Sequence, residues 1–158
     1  AVKRARAKAA AVRAQHPTGI VLGADQVVHL SGEVFGKPNS PEVWLRQLKR
    51  LRGKKHQLTT AVVLLHPDGR SETLRVHSGV VFRSETTDLE LQSYVQYGEA
   101  GGCAGGYMVE RRGAWFIERV EGDWQNVIGL PILEIIGVLR RWGWRFSDSE
   151  SNVETPTE

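Results

Sequence analysis

The sequence holds one cysteine, Cys103, in 158 residues. That count excludes an internal disulfide and any multi-cysteine zinc site. No apolar run approaches the length needed to cross a bilayer, and no signal-peptide pattern opens the chain, so a cytoplasmic location is the default. Among the first forty residues the bases are interleaved with a single aromatic, Phe35. A stacking platform for single-stranded nucleic acid needs more than that. The acids are also scarce there: residues 1–55 carry twelve Lys/Arg against Asp25, Glu33 and Glu42. The overall net charge is only +3 because residues 147–158 hold four acids and no base. A basic half of this kind suits a polyphosphate ligand, an acidic lipid or nucleic acid, or is simply a solvated helix face.

What is present is a soluble-type composition, 41% hydrophobic and 25% charged, long enough for one domain with a sizeable core. Alanine-rich residues 1–15 predict a helix, ended by His16-Pro17-Thr18-Gly19. Residues 20–36 predict strand, Ser31-Gly32 turn, strand. Ser40-Pro41-Glu42 opens a helix to about Leu51, stopped by Gly53. His56 to Leu65 and Glu72 to Arg83 predict a hairpin around His66-Pro67-Asp68-Gly69. Thr87 to Tyr97 predicts a helix, followed by a glycine-dense stretch to Gly106. Two short strands are expected at Tyr107–Glu110 and Ala114–Arg119, then a last helix from Leu130-Pro131 to about Gly143. The Ser/Asp/Glu/Thr-rich residues 147–158 are expected to be a disordered acidic tail. Interleaved strands and helices give an α/β class with a mixed sheet, in a single domain over 1–146.

The densest chemistry is Gly23-Ala24-Asp25-Gln26, with Gly36-Lys37-Pro38 beginning eleven residues beyond Asp25. The run Ile20-Val21-Leu22 delivers the acid to a strand end, and a polar turn delivers the lysine. A carboxylate can hold a cation or take a proton from water, and an ammonium can neutralise phosphate charge. Each motif alone also reads as a plain turn or cap. Cys103 lacks an obvious basic neighbour and reads as a packing residue. His29, His56, His66 and His77 lack metal-ligand spacing and read as scattered surface histidines. Asp123 reads as a turn residue or as a group approaching a metal. Gly101-Gly102 and Gly105-Gly106 lack the strand-to-helix context of a dinucleotide loop.

With Asp25-Gln26, Gly36-Lys37-Pro38, Cys103-Ala104-Gly105 and Glu121-Gly122-Asp123…Asn126-Val127-Ile128-Gly129-Leu130-Pro131 in one order, residues 1–145 resemble the Maf-like nucleotide pyrophosphatases. The resemblance implies a mixed twisted sheet with flanking helices around a long cleft, as in the inosine-triphosphate pyrophosphatases. It implies hydrolysis of a nucleoside triphosphate to the monophosphate and pyrophosphate with a divalent metal, Mg²⁺ or Mn²⁺. Asp25 matches the catalytic acid and metal ligand, and Lys37 and Lys8 match lysines facing the phosphates. Gln26 and Glu110 fall on positions that separate substrate classes. Gln26, Cys103 and Glu110 together resemble the 7-methyl-GTP group; pyrimidine-preferring members have Thr, Lys and Gln there. A homodimer is allowed, a membrane is not implied, and nucleic acid ranks last as a partner. The family's opening strand and Ser-x-Ser-Pro-Arg-Arg loop have no match in this sequence. The expectation is therefore a domain incomplete at its start, with a weakened or inactive nucleotide-binding remnant as the second reading and a nucleic-acid binder as the third.

Overall fold

The computed structural model describes residues 1–146; the expected acidic tail at 147–158 lies outside them. Helix α1 (Val2–Gln15) precedes strands β1 (Val21–Leu30) and β2 (Glu33–Phe35). Helix α2 (Pro41–Leu51) leads to the hairpin of β3 (Lys55–Leu65) and β4 (Ser71–Phe82). Helix α3 (Asp88–Tyr97) is followed by an irregular segment, then β5 (Ile117–Glu121), α4 (Trp124–Ile128) and α5 (Ile132–Arg141). The strands form one sheet in the order β2-β1-β3-β4-β5. The α/β class with flanking helices is as expected, and all four pairings are antiparallel.

The two faces are covered by different means. On one face α2 and α3 bury Trp44, Leu48, Leu51, Leu91 and Tyr94 over Val28, Leu58, Val80 and Phe82. Full burial of side chains of this size contributes roughly 1.5–3 kcal/mol each. Both helices are capped as their sequences dictate. The Ser40 side chain accepts from the Val43 N–H, with Pro41 in the first turn, and Thr87 forms a reciprocal capping box with Glu90. On the same face α5 lays Ile135 and Val138 over Val62 and Leu64.

On the opposite face α1 buries only alanines, Ala5 and Ala9, against Val21, Ala61 and Val63. Its hold depends on approach rather than area. A Cβ at Gly23 would lie 2.3 Å from the Ala5 carbonyl oxygen and 2.6 Å from the Ala9 nitrogen. Only glycine on β1 admits the helix backbone this closely.

Three expectations fail after Tyr97. Tyr107–Glu110 is not a strand, and Ala114–Arg119 divides into a 3₁₀ turn (Arg112–Phe116) and β5. Left-handed backbone at Gly105 and Gly106 (φ +78° and +73°) turns the chain away from an extended path. The chain then folds back on itself. Arg111 N–H donates to the Met108 carbonyl (3.3 Å) and Ala114 N–H to the Arg111 carbonyl (3.0 Å). Helix α4 was not foreseen either; Asp123 caps it by accepting from the Gln125 N–H at 2.8 Å.

A candidate active site at the β1 edge

Strand β1 runs unbroken through Asp25, so the acid is mid-strand rather than at a strand end. Asp25 is paired to Ala61 of β3. On its other side β2 reaches only Val28, His29 and Leu30. Among the described residues the stretch of β1 around Asp25 therefore borders a cleft, not a sixth strand.

Strand alternation sends Asp25 to the α1 side and Gln26 to the other. Close docking of α1 brings Lys8, next to buried Ala9, over this edge. Its ammonium donates to the Ala24 carbonyl (2.8 Å) and to Asp25 Oδ1 (3.3 Å). The Asp25 side chain is 10% exposed, with Arg4 at 4.0 Å from Oδ2. Oδ2 itself is buried and has no hydrogen-bond partner among the described residues. A charged oxygen without a hydrogen bond is costly and marks a place for a ligand, a water or a cation.

Gln26 holds the far wall in place. Its amide nitrogen donates to the Thr60 hydroxyl (2.9 Å) and to the Asn126 carbonyl (2.6 Å). Asn126 is fully buried and donates to the Ser78 hydroxyl at 3.0 Å. The Ser78 hydroxyl in turn donates to the Asp123 carbonyl at 2.9 Å. Sequence reasoning singled out Asn126 only as part of a motif; its burial in this chain of bonds is what seats α4 against the cleft.

Lys8, Asp25, Gln26, Lys37 and Glu110 all line one cavity of about 250 Å³. Ala24, Leu58, Met108, Val109, Val127 and Ile128 supply its apolar walls. All five candidate residues are thus brought together from separate segments. Cys103 also faces the cavity. Burial, and after it the negative charge of Glu110, pushes its thiol up against the opposing charges of Lys37 and Arg111, as suits a packing residue and not a nucleophile. Asp123 is absent from the cavity lining and serves as a helix cap. His56 departs from expectation: it is 2% exposed, not a surface histidine.

Among the described residues no group of three or more His, Cys, Asp or Glu could hold an ion. Asp25 is a single carboxylate with one unpartnered oxygen. Mg²⁺ is commonly held by one or two carboxylates, waters and substrate phosphates. Asp25 therefore offers at most one protein ligand to a cation, not a pre-formed cage.

Several of the bases around α2 and the start of β3 pair with acids. Arg50 pairs with Glu33 (2.6 Å), Lys49 and Arg52 pair with Asp88 (2.6 and 2.7 Å), and Lys55 pairs with Glu121. No helix is long and apolar enough to cross a membrane among the described residues.

Asp25, Lys8 and Lys37 share one small cavity at a sheet edge of an α/β protein. Residues 1–142 match the family described as Maf-like protein. The chain is 38% identical over 137 residues to a dTTP/UTP pyrophosphatase of Geobacillus sp. (strain WCH70), covering 87% of this chain and 73% of that protein. It is 36% identical over 142 residues to a dTTP/UTP pyrophosphatase of Methanosarcina mazei, covering 90% and 72%. A dTTP/UTP pyrophosphatase of Pyrococcus furiosus is 37% identical over 139 residues, covering 88% and 72%. The chain belongs to the Maf-like family.

Proposed function

We propose that this chain hydrolyses a nucleoside triphosphate to the monophosphate and pyrophosphate. The observation that carries the reading is the convergence of Lys8, Asp25, Gln26, Lys37 and Glu110 on one cavity. Asp25 Oδ2 accepts a proton from water as the water oxygen bonds to the α-phosphorus. The bond from that phosphorus to the α–β bridging oxygen breaks, and pyrophosphate leaves with the electron pair. Lys37 and Lys8 meet its charge, and Lys8 holds the Asp25 carboxylate by its other oxygen. A divalent cation, Mg²⁺ or Mn²⁺, would be held by Asp25 with phosphate oxygens, and when bound would offset triphosphate charge and polarise the α-phosphoryl group.

For the base, Glu110 supports 7-methyl-GTP. Guanine and 7-methylguanine present N1–H and the N2 amino group as adjacent donors, and methylation adds positive charge. A carboxylate accepts from both donors. Uracil and thymine flank N3–H with two carbonyl oxygens, which face a carboxylate unfavourably. Gln26 spends its amide nitrogen on Thr60 and Asn126, leaving its amide oxygen for the ligand. The second reading is a pyrimidine triphosphate, favoured by the names of the relatives above. Pyrophosphate release with Mg²⁺ or Mn²⁺ across 7-methyl-GTP, GTP, UTP, dTTP and CTP separates the two. Release led by 7-methyl-GTP upholds the guanine reading, and release led by UTP or dTTP replaces it. No release from any of them overturns the reaction.

A further inference from the structure

The wall that carries Glu110 has no ladder of its own, yet three consecutive residues in it are each held by a different side chain. Trp44 of α2 donates its indole N–H to the Gly106 carbonyl at 2.6 Å. His56 of β3 shares a 2.7 Å hydrogen bond with the Tyr107 hydroxyl. Tyr94 of α3 accepts from the Met108 N–H at 3.1 Å. Trp44, His56 and Tyr94 lie outside the cavity lining, while Tyr107, Met108, Val109 and Glu110 are part of it. The three groups come from the core beneath the cleft, where Trp44 meets Tyr94 edge-on and Tyr107 meets His56 and Phe82 edge-on.

The fit is close. A Cβ on Gly106 would lie 2.5 Å from the Trp44 indole nitrogen, at a φ only glycine adopts readily. The same loop also reaches the turn that bears Lys37: Gly105 N–H donates to the Gly36 carbonyl at 3.4 Å. Asp25 and Lys8, by contrast, stand on β1 and α1 and share no hydrogen bond with any of the three pins.

We propose that Trp44, His56 and Tyr94 are positioning residues that set base selection by fixing the Gly106 carbonyl, the Tyr107 side chain and the Met108 N–H, and hence the reach of Glu110. This rests on the pyrophosphatase reading of the cleft. Binding sites that discriminate through hydrogen bonds need donors and acceptors held within a fraction of an ångström. A loop with two glycines and no ladder cannot supply that rigidity itself. The three side chains supply it from three separately anchored elements.

The test is Tyr94→Phe, which keeps the ring against Trp44 and Phe116 but removes the acceptor for Met108 N–H. Trp44→Phe is the second variant; it keeps an aromatic ring and removes the donor to Gly106. Pyrophosphate release is measured on the best purine and best pyrimidine triphosphate, with the unfolding midpoint recorded for each protein. The expected result is a shift of about tenfold in the purine-to-pyrimidine ratio of kcat/KM, carried by KM, with kcat on the best substrate within about twofold. An equal fall on every substrate, or an unchanged ratio in both folded variants, overturns the proposal. If the parent protein releases no pyrophosphate from any triphosphate, the reaction reading fails by itself. Equilibrium binding of GMP and UMP then carries the same comparison: a shifted affinity ratio upholds the positioning role, and an unshifted one overturns it.

Discussion

The two walls of the cleft are built on opposite principles. One is regular: β1 and α1 present Asp25 and Lys8 from a strand ladder and a helix pressed against it. The other is irregular: residues 103–110 turn through Gly105 and Gly106 and are held by side-chain hydrogen bonds from the core. The regular wall fixes Asp25 and Lys8, the groups proposed to serve every triphosphate alike. The irregular wall carries Glu110, the group proposed to distinguish one base from another. Rigidity from backbone pairing suits the shared chemistry, and rigidity from side chains can be retuned one substitution at a time.

The largest effect should come from breaking the regular wall at its centre. Asp25→Asn keeps the shape and removes the proton acceptor, so turnover should fall by about 10²–10⁴-fold, with the unfolding midpoint nearly unchanged. Steady-state pyrophosphate release checks this, and turnover near the parent value would remove Asp25 from the chemistry.

The second effect belongs to the irregular wall and is read in stability. Burial pushes the His56 imidazole down to about 4 from an ordinary 6.5. Between those values the unfolded chain binds the extra proton and the native chain does not. Stability should therefore be full above about pH 6.5 and decline as the pH falls towards 4, by about 3 kcal/mol at most for this group. Urea unfolding against pH measures the slope, and His56→Gln should flatten it. An unaltered slope in that variant would assign the pH dependence to other groups.

The third returns to the regular wall. Gly23→Ala places a methyl 2.3 Å from the Ala5 carbonyl oxygen, which is backbone and cannot swing aside. A cost of about 1–3 kcal/mol is expected, with Lys8 displaced and activity reduced along with it. A parent-like midpoint would mean that α1 yields freely. The smallest effect is on selection alone. Glu110→Gln should move the purine-to-pyrimidine ratio by about tenfold towards pyrimidines while sparing kcat.

The same contrast explains what the sequence made legible. Helix α1, the β3–β4 hairpin and the capped starts of α2 and α3 follow local rules, and each lies where its pattern places it. Lys8, Asp25 and Lys37 were found because a strand, a helix and a Gly-Lys-Pro turn are local features, joined by a family resemblance. The pattern predicts strands at Tyr107–Glu110 and Ala114–Arg119, of which only Ile117–Arg119 is strand; around residues 106–108 the conformation is set by long-range partners, Trp44, His56 and Tyr94. His56 was misjudged for the same reason. Nothing beside it in sequence marks it as buried, and its partner Tyr107 lies fifty-one residues away. Helix α4 is only five residues long, too short for a periodic signal, and Asp123 beside a glycine looks the same as a turn residue or as a cap.

Attack of water on the α-phosphorus at the Asp25 edge of β1 is the core of the proposed function. The most direct measurement is hydrolysis of the preferred triphosphate with Mg²⁺ in ¹⁸O-labelled water, with mass analysis of both products. The account expects one labelled oxygen in the nucleoside monophosphate, unlabelled pyrophosphate, and loss of the reaction in Asp25→Asn. Label in pyrophosphate or release of orthophosphate would contradict it, as would full activity in the Asp25→Asn protein.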